Sequence, residues 1–159
     1  ARYTGNWERD EMHGKGQMLF INGNLIDGEF KKGKLQAGPV KITYSNGNRY
    51  EGNYQGGSKH GSGKMEYING DKYDGHWKHD KKQGKGLMKY GDGRTYEGDW
   101  KDDNPNGHGK LTDQNGTVWE TREGGYVKAG KFFGPCHVKY PEGSEYEGTL
   151  SEGKRSGEG

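Results

Sequence analysis

Along most of this chain polar and apolar positions alternate with a period of two. Tyr50, Gly52 and Tyr54 share one parity while Glu51 and Asn53 take the other. After a turn containing Gly57 and Gly61, the residues Gly63, Met65 and Tyr67 again share a parity, against Lys64 and Glu66. Strict alternation is the mark of a half-buried β-strand, so this stretch predicts two short strands. The same inward triplets recur as Gly16-Met18-Phe20, Val40-Ile42-Tyr44, Gly86-Met88-Tyr90 and Cys136-Val138-Tyr140. The positions between them are polar, such as Lys41 and Thr43, or His137 and Lys139. One apolar and one wet face is the pattern of an antiparallel sheet with one solvated side.

The strand pairs repeat. An aromatic or bulky apolar residue opens a copy at Tyr3, Ile26, Tyr50, Tyr73, Tyr96, Trp119 and Tyr146, at steps of 23 or 24 residues until a final step of 27. Asn22-Gly23, Asn46-Gly47, Asn69-Gly70, Asp92-Gly93, Asn115-Gly116 and Glu142-Gly143 separate the copies. Asn-Gly and Asp-Gly between strands are strong hairpin signals. A fixed period of this size marks a repeat array. The expected fold is all-β: an elongated, twisted, single-layer antiparallel sheet of tandem β-hairpins. Residues 1–159 form one array of thirteen strands, about 60 Å long at about 4.8 Å per strand. The last copy is truncated at Gly157-Glu158-Gly159, and a fragment of a longer protein is expected. Glycines such as Gly52 and Gly75 leave room for a neighbouring ring to lie over the backbone.

Composition changes the picture in two ways. Leu, Ile, Val and Phe make up only 18 of 159 residues, but 11 Tyr and 4 Trp replace them, nearly all at repeat positions. Order is therefore expected despite the missing aliphatics. A net charge of +2 gives no field that would imply a nucleic-acid partner. The one cysteine, Cys136, reads as a small core residue and fits a reducing, cytoplasmic setting. No apolar run reaches the length of a membrane span, and the Asn115-Gly116-Thr117 sequon reads as a turn.

These residues resemble the MORN repeat, whose unit is close to Tyr-x-Gly-x-Trp-x-x-Gly-Lys-x-His-Gly-x-Gly. Tyr3-Thr-Gly5-Asn-Trp7 with His13-Gly14-Lys-Gly16 carries the likeness, as do Tyr73-Asp-Gly75-His-Trp77 and Tyr96-Glu-Gly98-Asp-Trp100 with their downstream glycines. The second copy departs, with Ile26 at its start and one extra residue before Gly38-Pro39. The fifth has Asp113 in place of an aromatic. The sixth has Thr121 where glycine is expected and four inserted residues, which predicts a bulge or break at Thr121 to Gly125. The resemblance implies a non-enzymatic module for protein–protein contact and scaffolding, in cytoskeletal, ciliary or membrane-junction assemblies. It equally implies two alternatives: a targeting or regulatory appendage of a SET-domain lysine methyltransferase or a phosphoinositide kinase, or a phospholipid-binding module at the cytosolic face of a membrane.

Tyr50, Tyr54, Met65, Tyr67, Tyr73, Trp77, Met88, Tyr90, Tyr96 and Trp100 form the candidate partner-binding groove, because Tyr, Trp and Met dominate binding hot spots. The expected occupant is an amphipathic helix or another copy of the chain. Tyr146 and Leu150 mark a candidate self-association edge for a homodimer. Lys31, Lys32, Lys81 and Lys82 are candidate contacts to anionic lipid. His13 and His60 are placed in turns, and His76 and His79 lack companions at metal-ligand spacing. The Gly-x-Gly pieces open no helix and cradle no phosphate. No catalytic, cofactor or metal residue is assigned.

Overall fold

A computed structural model describes residues 1–156. The chain divides into two compact units, Ala1–Asp80 and Lys81–Gly159. The described residues contain sixteen strands and no helix. In the first unit these are β1 (Arg2–Glu8), β2 (Glu11–Leu19), β3 (Leu25–Lys31), β4 (Lys34–Leu35), β5 (Gly38–Thr43), β6 (Arg49–Gln55), β7 (Ser58–Glu66) and β8 (Lys72–Lys78). They run β1-β2-β3-β5-β6-β7-β8, all antiparallel, with β4 paired to β3. In the second unit they are β9 (Lys81–Lys89), β10 (Thr95–Lys101), β11 (Asn104–Thr112), β12 (Val118–Thr121), β13 (Tyr126–Lys128), β14 (Lys131–Lys139), β15 (Glu145–Ser151) and β16 (Lys154–Ser156). That order is β9-β10-β11-β12-β14-β15-β16, with β13 bridging β11 and β14. The all-β hairpin meander is as expected. Three strands exceed the expected thirteen: β4, split from β5 at the extra residue of the second copy; β13, which follows the predicted break after Thr121; and β16, which closes a hairpin on β15. The expected stop at Gly157 to Gly159 lies outside the described residues.

Two kinds of turn alternate, and they are not the kinds the Asn-Gly signal suggests. At the inter-copy turns only the glycine has positive φ, as at Gly23 (93°) and Gly47 (98°). Gly23 N–H donates to Phe20 O at 2.9 Å, and the Asn22 side chain accepts the Asn24 N–H at 3.0 Å. These are longer loops in which Asn folds onto its own backbone. The tight two-residue turns with both φ positive, as in type I′, sit within the copies. Arg9-Asp10 (50°, 64°), His79-Asp80 (50°, 66°) and Asp102-Asp103 (48°, 70°) are examples. Asp80 and Asp103 offset the cost of that backbone by accepting the N–H groups of Lys59 and Lys82, each at 2.8 Å.

A bulge recurs beside several tight turns within the copies. Gly52 faces Gly63, yet Tyr54 faces Lys59, so His60-Gly61-Ser62 oppose the single residue Asn53. The same shift occurs between β1 and β2 and between β10 and β11. His13 and His60 thus lie in strands at the bulge, not in turns, because the second strand carries two more residues than the first there. The bulge glycine needs its freedom: Gly61 has φ 79°.

Packing follows the parity read from the sequence, except that Phe20, expected inward, is 40% exposed at the mouth of its turn. Val40, Ile42, Met65, Met88, Cys136 and Val138 are buried, while Lys41, Thr43, Lys64, Glu66 and Lys139 are exposed. Glycines face one another across strands as Gly5-Gly16-Gly28, Gly52-Gly63-Gly75 and Gly86-Gly98-Gly109. Tyrosine rings lie over these rows: a Cβ on Gly63 would fall within 2.5 Å of the Tyr50 ring. The Tyr3 and Tyr96 rings cover Gly16 and Gly109 in the same way.

Candidate interaction surfaces

In the first unit the aromatic face is a locked floor with a partly open rim. Tyr50, Tyr73, Trp77 and Met65 are buried, whereas Tyr44, Tyr54 and Tyr67 are half-exposed. The Tyr50 hydroxyl donates to Asn53 O at 2.6 Å, and Tyr73 to His76 O at 2.9 Å. The Trp77 indole N–H donates to Gly63 O at 3.1 Å. Its ring meets Tyr50 and Tyr73 edge-on, at centroid distances of 5.7 and 5.0 Å, the arrangement that ring quadrupoles favour.

A lysine completes this floor. The Lys59 ammonium lies 5.4, 5.9 and 5.0 Å from the ring centroids of Tyr44, Tyr50 and Trp77. It also sits 3.3 Å from the Tyr44 hydroxyl and 3.6 Å from the Asp80 carboxylate. The rings and the carboxylate hold the ammonium in place of water. Burial, then the Asp80 charge, pushes the Tyr44 phenol up to about 12. Burial likewise raises Tyr50 and Tyr54.

The second unit repeats the plan. Tyr96, Trp100 and Met88 are buried and Tyr90 is half-exposed beneath the Arg94 guanidinium. Trp100 donates to Gly86 O at 3.0 Å and packs edge-on to Tyr96. The Lys82 ammonium lies over Trp100 and 3.9 Å from Asp103. Cys136 is fully buried, and burial pushes its thiol up.

Several expected sites change under this geometry. Seven of the ten groove residues are floor: Tyr50, Met65, Tyr73, Trp77, Met88, Tyr96 and Trp100 expose little surface, because the glycine rows let rings sink onto backbone. Tyr54, Tyr67 and Tyr90 keep surface for contact. Lys82 does not present a free ammonium to lipid, since Trp100 and Asp103 enclose it; Lys31, Lys32 and Lys81 are exposed. The candidate edge is covered at Leu150, and at Tyr146 the ring meets Arg155. The turn at Glu152-Gly153 folds β16 back onto Thr149–Ser151, Leu150 is buried, and Arg155 lies 4.7 Å from the Tyr146 ring centroid. In β1, by contrast, Trp7 is 60% exposed.

The polar face carries a pattern that the sequence reading did not single out. Register lines up Asp27, Lys41, Glu51, Lys64 and Asp74 across the first unit with alternating sign. Glu97, Lys110, Glu120, His137 and Glu147 form the counterpart in the second. The signal was available, because repeat-equivalent outward positions differ in charge from one strand to the next. Opposite charges across strands favour this register over a slipped one. Concavities open on this face: about 680 Å³ in the first unit, bordered by Lys15, Asp27, Glu29 and Lys41, and about 590 Å³ in the second, bordered by Lys85, Glu97, Glu120 and Arg122.

Among solved structures, the TCP domain of Drosophila melanogaster SAS-4 (dCPAP), in complex with a proline-rich motif of Ana2 (dSTIL), is similar at 15% identity and a TM-score of 0.48. That likeness covers 86% of this chain and 84% of the other. The TCP10c domain of Drosophila melanogaster Sas-4 is similar at 14% identity and a TM-score of 0.45, covering 86% and 93%. No curated protein sequence matches. The family described as MORN repeat matches residues 3–25, 50–72, 73–93, 96–118 and 146–159, well over half of the chain. Period, glycine rows and ring packing agree with that match, and the chain belongs to the MORN repeat family.

Proposed function

We propose that the chain is a non-enzymatic protein–protein interaction and scaffolding module that meets its partner through the tyrosine rim of the aromatic face. The observation that supports this is the division of that face in the first unit. Buried Tyr50, Tyr73 and Trp77 hold a rigid floor, and Tyr44, Tyr54 and Tyr67 stand half-exposed above it. Rigid, amphipathic tyrosines lose little conformational entropy on binding and are typical hot spots. The partner chemistry that fits is an amphipathic segment, with an apolar side for the rings and polar groups for the phenols. In this reading the work of the chain is to hold partners in a cytoskeletal type of assembly.

Partners captured from native extract on the purified chain test the reading. Tyr54→Ala with Tyr67→Ala should weaken capture by about thirty-fold or more, the scale of a lost hot spot, while circular dichroism shows a folded sheet. Equal capture by the folded variant would overturn it.

A further inference from the structure

The trough on the polar face of the first unit lies on the other side of the sheet from the tyrosine rim. Its lining crosses β1, β2, β3, β5 and β6. The floor is the backbone of Gly5, Gly16 and Gly28 with Pro39 and Val40, and the walls carry Lys15, Asp27, Glu29, Lys41 and Glu51. Register sets Lys15 opposite Glu29, and Lys41 opposite both Asp27 and Glu51. None of these five charges comes within 4.0 Å of an opposite charge among the described residues. Just beyond the trough opposite charges do meet, Lys64–Asp74 at 3.9 Å in the same ladder and Arg49–Glu66 at 2.8 Å in a neighbouring row. The difference is local: over the glycine floor the side chains stand apart around an open recess.

Charges lining a recess are less screened than charges on a flat face, so they attract a complementary group more strongly. Carboxylates outnumber lysines here. Asp27 and Glu29 stand at alternate positions of one strand, about 6.8 Å apart. Glu51 lies two strands further on, about 9.6 Å across the sheet. Long cationic side chains at alternate positions of an extended chain reach all three.

We propose that this trough docks an extended basic segment of a partner protein, with lysine or arginine groups on Asp27, Glu29 and Glu51 and their methylene stems along the floor of Gly5, Gly16, Gly28 and Val40. Arginine and lysine stems cover apolar surface while their heads stay polar. Lys15 and Lys41 turn away acidic segments by like-charge repulsion. The site uses no residue of the aromatic face, so either proposal can fail without the other.

The probe is a fluorescent peptide of alternating lysine and alanine, compared with its glutamate counterpart, followed by anisotropy on the full chain. The lysine peptide should saturate and the glutamate peptide should not, with binding weaker at about 200 mM than at about 50 mM salt. Asp27→Asn with Glu29→Gln and Glu51→Gln should weaken binding about ten-fold or more. Lys15→Gln with Lys41→Gln should tighten it, and Tyr54→Ala should leave it unchanged. These five residues are exposed or half-exposed, so the variants should fold. Equal binding of the two peptides, indifference to the triple change, or no binding at millimolar peptide would overturn the proposal. So would a self-association seen by sedimentation that the triple change abolishes, since the trough would then hold a second copy.

Discussion

Gly63→Ala tests whether ring-over-glycine packing stabilises this fold. The backbone there is ordinary strand, so alanine brings no strain from φ. The added methyl, however, would lie within 2.5 Å of Tyr50 ring carbons and against its hydroxyl. Tyr50 has nowhere to go. It is 1% exposed, its hydroxyl is held by Asn53 O at 2.6 Å, and its ring abuts Trp77. Overpacking of this kind costs about 1–3 kcal/mol, and losing the phenol's bond adds about 1 kcal/mol. Against this, alanine restricts the unfolded chain and returns about 0.4–1 kcal/mol. The net is about 2 kcal/mol, a fall in Tm of roughly 4–8 °C for a chain of this size.

Thermal melts followed by circular dichroism give the shift, and urea titration gives the free energy. Lys64→Ala, one residue on and facing solvent, should change stability by less than about 0.5 kcal/mol. The decisive measurement is Gly63→Ala made in a Tyr50→Leu background. If the ring is the obstacle, the glycine change should cost nothing there, a coupling of about 2 kcal/mol. An unchanged Tm in the single variant, or the same loss with and without the ring, would refute the packing argument.

Three further outcomes are expected. Folding keeps the Tyr44 phenol protonated up to about 12 against 10 in the open chain, so its contribution is intact below pH 10 and lost as pH rises from 10 through about 12; Tm against pH should fall there and less steeply in Tyr44→Phe. Arg9→Asn with Asp10→Gly suits a turn with both φ positive and should add about 1 kcal/mol; a loss of stability would show the turn needs its native side chains. Vesicles rich in anionic lipid should not retain the chain at physiological salt, because Lys82 is enclosed and Lys31 and Lys32 are only a pair; tight flotation lost with Lys31→Glu and Lys32→Glu would promote the lipid alternative.

Parity and period carried most of the fold. Gly63, Met65 and Tyr67 face inward as their spacing says, and the inserted residues after Trp119 do break the ladder. What stayed hidden depends on partners remote in sequence. Arg9 and His79 adopt positive φ because a two-residue connection demands it, which their identities do not announce. Lys59 reads as a wet lysine until Tyr44, 15 residues earlier, and Trp77 in the next copy close around it. The aromatic face was half legible: residue types gave its parity, but only the packing separates the buried Tyr50 from the half-open Tyr54. The charge ladder needs the bulge-shifted register, and that shift lies in three residues opposing one.

The tyrosine that opens a copy spends its hydroxyl close to home. Tyr3 donates to Asn6 O, Tyr50 to Asn53 O, Tyr73 to His76 O, Tyr96 to Asp99 O and Tyr146 to Thr149 O, always three residues on. A copy therefore satisfies its most demanding polar group from its own sequence, whatever its neighbour supplies. The indole bond reaches back, from Trp77 to Gly63 O and from Trp100 to Gly86 O, onto a backbone carbonyl that any copy can offer. Duplicating or excising a whole copy thus leaves the phenol that opens each copy bonded. The array can change its number of copies by unequal crossing-over of its gene in single steps without stranding those phenols.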